Sequence, residues 1–169
     1  ENVTVVAMNE EEGEALTGHK DPLLASDAAL QWVDLVLCTA GPIGLFMAGY
    51  TDESSKRETE LPLLPGNIPE FNKYEFSRAM RKNDCSNPVK IYSHIGPYLG
   101  GPLEIKNTNG AGDGALSALL HDMAANAFHL INVPNSVKHD QPYLTYSSLS
   151  QVCKYANRVS YEVLTQHSP

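Results

Sequence analysis

The chain is short of the features that mark secreted, membrane-spanning or nucleic-acid-binding proteins. Its three cysteines, Cys38, Cys85 and Cys153, are far apart, with no C-x-x-C pair. An odd, scattered set argues against a disulfide framework and points to a reducing cytoplasm. No apolar run approaches the roughly 18 residues of a membrane-spanning helix. Positive charge is scarce: 12 basic against 20 acidic residues give a net charge of −8. That balance disfavours nonspecific binding to nucleic acid or to anionic membrane. None of the histidines (His19, His94, His121, His129, His139, His167) forms an i, i+4 pair around a glutamate, so a zinc site is not expected. Internal repeats and low-complexity runs are lacking. The opening residues, Glu1-Asn2-Val3-Thr4-Val5-Val6, do not read as a signal peptide. With no initiator methionine and an immediate apolar run, they read as if cut from a longer chain.

What is present suits one α/β domain. The chain has 169 residues, of which 42% are hydrophobic, enough for a sizeable core. Residues 3–7 predict a buried strand. Asn9 then opens an acidic helical segment that Gly18 stops, its glutamates suiting the helix dipole. Asp21-Pro22 begins a second helix, expected to run to about residue 33. Residues 34–39 and 45–48 predict strands on either side of a turn at 40–44. This order favours parallel pairing. Ligands in such sheets gather at the carboxyl ends of strands, where Asn9 and Thr39 lie. Residues 50–106 read as an insertion holding a helix at 69–81, a short strand near 89–94 and a turn cluster at 96–102. A helix is expected over 113–125, then an irregular stretch, then a last helix over 146–166. Leu149, Val152, Ala156, Val159 and Val163 form its core stripe. Cys38 and Cys153 fall on apolar faces, as small core residues.

The densest chemical signal is Asn107-Thr108-Asn109-Gly110-Ala111-Gly112-Asp113-Gly114, which runs directly into Ala115-Leu116-Ser117-Ala118-Leu119-Leu120. A small-residue turn at a helix start leaves backbone N–H groups unpaired, and the helix dipole adds positive potential. Phosphate oxygens fit there. An aspartate at the same turn would repel phosphate, so Asp113 suits proton abstraction from a hydroxyl or, structurally, an N-cap. The run also fits a dinucleotide fingerprint, G-x-G-x-x-[GA]. However, polar residues precede it, and residues 131–135 lack the acidic residue expected about 20 positions on.

Three segments, in order, resemble the ribokinase-like family of sugar and nucleoside kinases. They are Asn9-Glu10-Glu11-Glu12, like its N-x-x-E segment; Thr39-Ala40-Gly41-Pro42-Ile43-Gly44, like its T-x-G-x-x-G loop; and residues 107–113, like its D-T-x-G-A-G-D signature. Ala156-Asn157-Arg158-Val159 is a fainter fourth match. The resemblance implies a three-layer α/β fold with a mostly parallel central sheet flanked by helices. It implies ATP-dependent phosphorylation of a purine nucleoside's 5′-hydroxyl, with adenosine or a sugar as alternative acceptors. A non-catalytic nucleotide-binding module is a further alternative. Asp113 would be the base, and the N–H groups of Gly110, Ala111 and Gly112 the anion hole. Asn9, Thr39, Gly41, Gly44, Thr108 and Asn157 would bind ATP. Glu12 would organise Mg²⁺ through water. Lys106 and Arg158 are candidates to help offset phosphate charge. The family's aspartate is replaced by Asn107, which leaves K⁺ at this position an open alternative. Family members are roughly twice this long, so the chain would be their C-terminal, nucleotide-binding portion, lacking the lid and most acceptor contacts. It would need the rest of the polypeptide for activity and could also self-associate.

Overall fold

The computed structural model describes residues 3–58, 72–96 and 111–165. Strand β1 (Val5–Asn9) leads into helices α1 (Glu10–Thr17) and α2 (Pro22–Ala29). Strands β2 (Leu35–Thr39), β3 (Leu45–Asp52) and β4 (Pro88–Ile95) follow, then helices α3 (Ala111–Asn132) and α4 (Leu149–Thr165). The strands form one sheet in the order β1-β2-β3-β4.

The class is α/β, and the sheet is mixed rather than mostly parallel. β1 and β2 pair in parallel, whereas β2–β3 and β3–β4 are antiparallel. Link length decides this. Two helices separate β1 from β2, enough for a crossover. The 40–44 link is far below the dozen or so residues that a crossover needs, so β3 must return as a hairpin.

Alternation along β2 sends side chains to two cores. Leu35 and Leu37 join Leu45, Met47 and Ile91 beneath α3 and α4, against Ala115, Leu119, Leu149, Val152 and Ala156. Val36 and Cys38 face the other way, with Phe46 and Ala48, against Ala25, Ala29 and Leu30. The sheet is therefore the middle of three layers. Cys38 and Cys153 are core residues, and burial pushes their thiols up to about 11 and about 12.

Several boundaries differ from expectation. α2 ends at Ala29, where Leu30 N–H turns back to Asp27 O and Trp32 N–H to Ala29 O in tight three-residue steps. α3 continues past residue 125 to Asn132. The helix expected at 69–81 is not formed over its described part, 72–81. Those residues make turns, and Met80 bridges to both Tyr50 and Tyr143. Tertiary pairing outweighs the local helical pattern there. The expected insertion at 50–106 shrinks for a similar reason. β3 extends into it to Asp52, and Pro88–Ile95 pairs with β3 along its full length as a fourth sheet strand.

Arg78 ties this region together. Its guanidinium donates to Thr145 O (2.9 Å), Lys138 O (2.8 Å) and Asn126 Oδ1 (2.9 Å), and lies 4.0 Å from the Tyr143 ring centroid. A lysine cannot reproduce that fork. Replacing Arg78 by alanine is expected to cost about 2–3 kcal/mol, and lysine should recover less than half of it, as read by urea denaturation.

Candidate functional site

Parallel register places Asn9, the last residue of β1, opposite Thr39, the last residue of β2. β3 returns from this edge, and β4 runs back toward it, so Ile95 pairs with Leu45 there. The carboxyl ends of β1, β2 and β4 and the 40–44 loop thus share one edge. α3 begins beside them: a Cβ built on Gly112 would stand 4.0 Å from Thr39 Oγ1. The T-x-G-x-x-G segment and the start of the glycine-rich helix are therefore brought together.

Asn9 and Glu12 form a reciprocal capping box. Asn9 Oδ1 accepts from Glu12 N–H at 2.8 Å, and Glu12 Oε1 accepts from Asn9 N–H at 2.9 Å. The N-x-x-E spacing is what such a box requires, so the pattern was readable as a helix start. One Glu12 carboxylate oxygen is committed to the cap. The other has no hydrogen bond among the described residues and faces an exposed setting.

The 40–44 loop depends on two glycines. Gly41 has φ +51°, and Gly44 has φ +110°. At Gly44 a Cβ would sit 2.0 Å from Ile95 O, so the loop lies directly on the end of β4. Ala40 N–H bonds Gly44 O at 2.8 Å, and Gly44 N–H bonds Gly41 O at 3.1 Å. His94 lies under this loop and was not singled out from the sequence. Its Nε2 is 2.9 Å from Ile43 O, and its ring stacks on Phe46. The alternation of β4 gave no hint that its histidine would meet a loop 51 positions earlier.

Asp113 is the third residue of α3, inside its first turn and exposed. It is therefore not the residue that caps the helix. Ala111 and Gly112 precede it within α3. Asn107, Thr108 and Gly110, with Lys106, lie outside the described residues. Gly114 lets α3 approach α4: a Cβ there would meet Val163 Cγ2 at 3.1 Å and Val159 Cγ1 at 3.4 Å. Asn157 of α4 reaches toward this end, its amide 3.5 Å from Gly96 O, a long contact. Arg158 is paired with Glu162 at 3.5 Å on the exposed face of α4. Among the described residues, no cluster of three or more His, Cys, Asp or Glu could hold a metal ion directly. A cavity of about 1240 Å³ lies elsewhere, between Arg57, Arg78, Lys138 and Lys154, and none of the candidate site residues lines it.

Along its whole length the chain is 71% identical to the guanosine-inosine kinases of three Escherichia coli strains, K12, O6:H1 and O157:H7. It spans 39% of the length of each. No family model matches it. In structure it is similar to a fructokinase double mutant from Vibrio cholerae, solved with fructose, ADP and potassium ion, with a TM-score of 0.50 at 16% identity. That similarity covers 96% of this chain and 34% of the other. The fold is thus of the ribokinase-like kind, and within the described residues no helix is long and apolar enough to cross a membrane.

The local geometry is testable without a ligand. Asn9→Ala should cost about 1 kcal/mol in equilibrium denaturation, because it leaves first-turn N–H groups uncapped. Glu12→Gln keeps an acceptor for Asn9 N–H and should stay within about 0.5 kcal/mol of the parent. Equal losses in the two would mean that the carboxylate charge, not the reciprocal bond, supports α1.

Proposed function

We propose that this chain is the nucleotide-binding and catalytic portion of an ATP-dependent kinase acting on the 5′-hydroxyl of inosine or guanosine, in purine salvage. Identity of 71% over the full chain to guanosine-inosine kinases carries this reading. The meeting of Thr39 with the start of α3 supports it chemically.

In this reading the Asp113 carboxylate takes the proton of the nucleoside hydroxyl. The hydroxyl oxygen forms a bond to the γ-phosphorus of ATP, the bond to the β-phosphate oxygen breaks, and ADP leaves. An exposed carboxylate in the first turn of α3, free of hydrogen bonds among the described residues, suits that role. Backbone N–H groups of Gly110, Ala111 and Gly112 stabilise the charge that builds on the transferred group. Thr39, Gly41, Gly44 and Thr108 receive the phosphates and ribose, and Asn157 lies by the adenine. Mg²⁺ supplies charge neutralisation on the phosphates. The Glu12 oxygen left over from the capping box fits a water on that ion, and Asn9 holds the glutamate in place. A monovalent cation near Asn107 belongs to the same reading, with potassium the candidate. The reaction would take place in the cytoplasm.

The rest of a longer polypeptide would supply the acceptor pocket, and the chain alone would be inactive. One side of the described structure suits it. β1 is one edge of the described sheet, and α3 carries an apolar stripe in line with Asp113. On that stripe Phe128 is 69% and Ile131 78% exposed, with Leu120, Ala124 and Ala127 also open to solvent. A contiguous exposed apolar stripe suits a face that another part of the protein covers.

The deciding experiment is nucleoside-dependent ADP release by the full-length protein with Mg-ATP, wild type beside Asp113→Asn. Turnover with inosine or guanosine is expected, exceeding that with adenosine or a hexose. The variant should lose at least about 100-fold. ATP binding without turnover on any acceptor would instead indicate a nucleotide-binding module.

A further inference from the structure

His94 is poorly explained by packing. It is the penultimate residue of β4 and only 3% exposed. Its ring lies on its cross-strand partner Phe46, with centroids 4.3 Å apart and planes at 28°. Phenylalanine would stack there equally well. The imidazole instead brings a buried Nδ1 that has no hydrogen-bond partner among the described residues, which is costly in a core. Its other nitrogen accounts for the choice. Nε2 is 2.9 Å from the Ile43 carbonyl, which can only accept, so Nε2 carries the proton and donates.

The main chain beneath is clamped. Fully buried Asn72 accepts from His94 N–H at 2.6 Å and donates to His94 O at 3.2 Å. The ring is thus a fixed post reaching into a loop that otherwise closes on its own backbone. Among the described residues, the side-chain hydrogen bond to the 40–44 loop is the one from His94. Such a loop needs an anchor, because two positive-φ glycines leave it wide conformational freedom. Local rules that are broken at one position, here the orphaned Nδ1, tend to be broken for function.

We propose that His94 is a positioning residue for the nucleotide: through the Ile43 carbonyl it holds the 40–44 loop in the form that receives ATP. This rests on the assignment of that loop to ATP made above. His94 touches no reacting group, so its removal weakens nucleotide binding and leaves the chemical step and the acceptor largely alone.

The test uses the full-length protein and steady-state kinetics, with His94→Phe, His94→Gln, His94→Asn and Thr39→Val. His94→Phe keeps the stack and loses the donor. It should raise KM for ATP about tenfold, with kcat and nucleoside KM within about threefold and no loss of Tm. His94→Gln can place an amide nitrogen where Nε2 stood and should stay within about threefold of wild type in KM for ATP. Asparagine cannot reach Ile43 and should resemble phenylalanine. If the phenylalanine variant does not fold, the glutamine–asparagine contrast decides. An unchanged KM for ATP in His94→Phe, or equal impairment in glutamine and asparagine, overturns the proposal. Thr39→Val separates the two levels. If it raises KM for ATP while His94→Phe does not, only the positioning role fails. If neither moves it, the loop is not the nucleotide site and the proposal falls with that reading.

Discussion

The parallel pairing of β1 with β2 is the constraint from which the candidate site hangs. It sets Asn9 beside Thr39 and gives both strands a common carboxyl edge. β3 and β4 then run down and back, so the end of β4 returns to that edge, and Gly44 can lie on Ile95. α3 starts at the same place because it packs across the sheet with α4 above Leu35, Leu37 and Met47. Shift β1 by one residue and Asn9 would no longer oppose Thr39. Its alternating side chains would also exchange faces.

Residues at this edge have structural duties beside the chemical ones proposed for them. Asn9 and Glu12 satisfy each other's backbone donors, and the same carboxylate retains an oxygen facing out. Gly44 is required by the hairpin's close approach to Ile95, and that approach shapes the loop assigned to the nucleotide. Gly114 lets α3 press against Val159 and Val163, which brings Asn157 of the same helix toward Gly96. In the proposed reading, a chain this acidic would offset phosphate charge largely by oriented N–H groups and by metal. Arg158 is occupied by Glu162, and the concentration of cations around Arg78 and Lys138 lies at a different place.

The described structure is uneven in how well it is finished. Its two cores are closed around β2 and β3, and Arg78 fastens the segment near Thr145 to the rest. By contrast, β1 and the outer face of α3 are open. The open side and Asp113 lie along one helix, so whatever covers that stripe would also wall the position proposed for the base.

Features with short-range causes were legible in the amino-acid sequence. The alternation in residues 35–38, the Asn9 and Gly18 ends of α1, the Asp21-Pro22 start of α2 and the stripe of α4 each depend on neighbours within a few positions. The turn after Thr39 was recognisable in the same way, and with it the α/β class. The capping box was equally local but hidden behind a chemical reading of the same spacing. Tertiary structure alone decided the direction of β3, the membership of β4 in the sheet and the loss of a helix over 72–81. It alone placed His94 under Ile43. Those outcomes depend on pairings such as Phe46 with His94 and Met80 with Tyr143, made between residues distant in the chain. Local periodicity carries no information about them, because their energy exists only once the sheet has closed and its register is set.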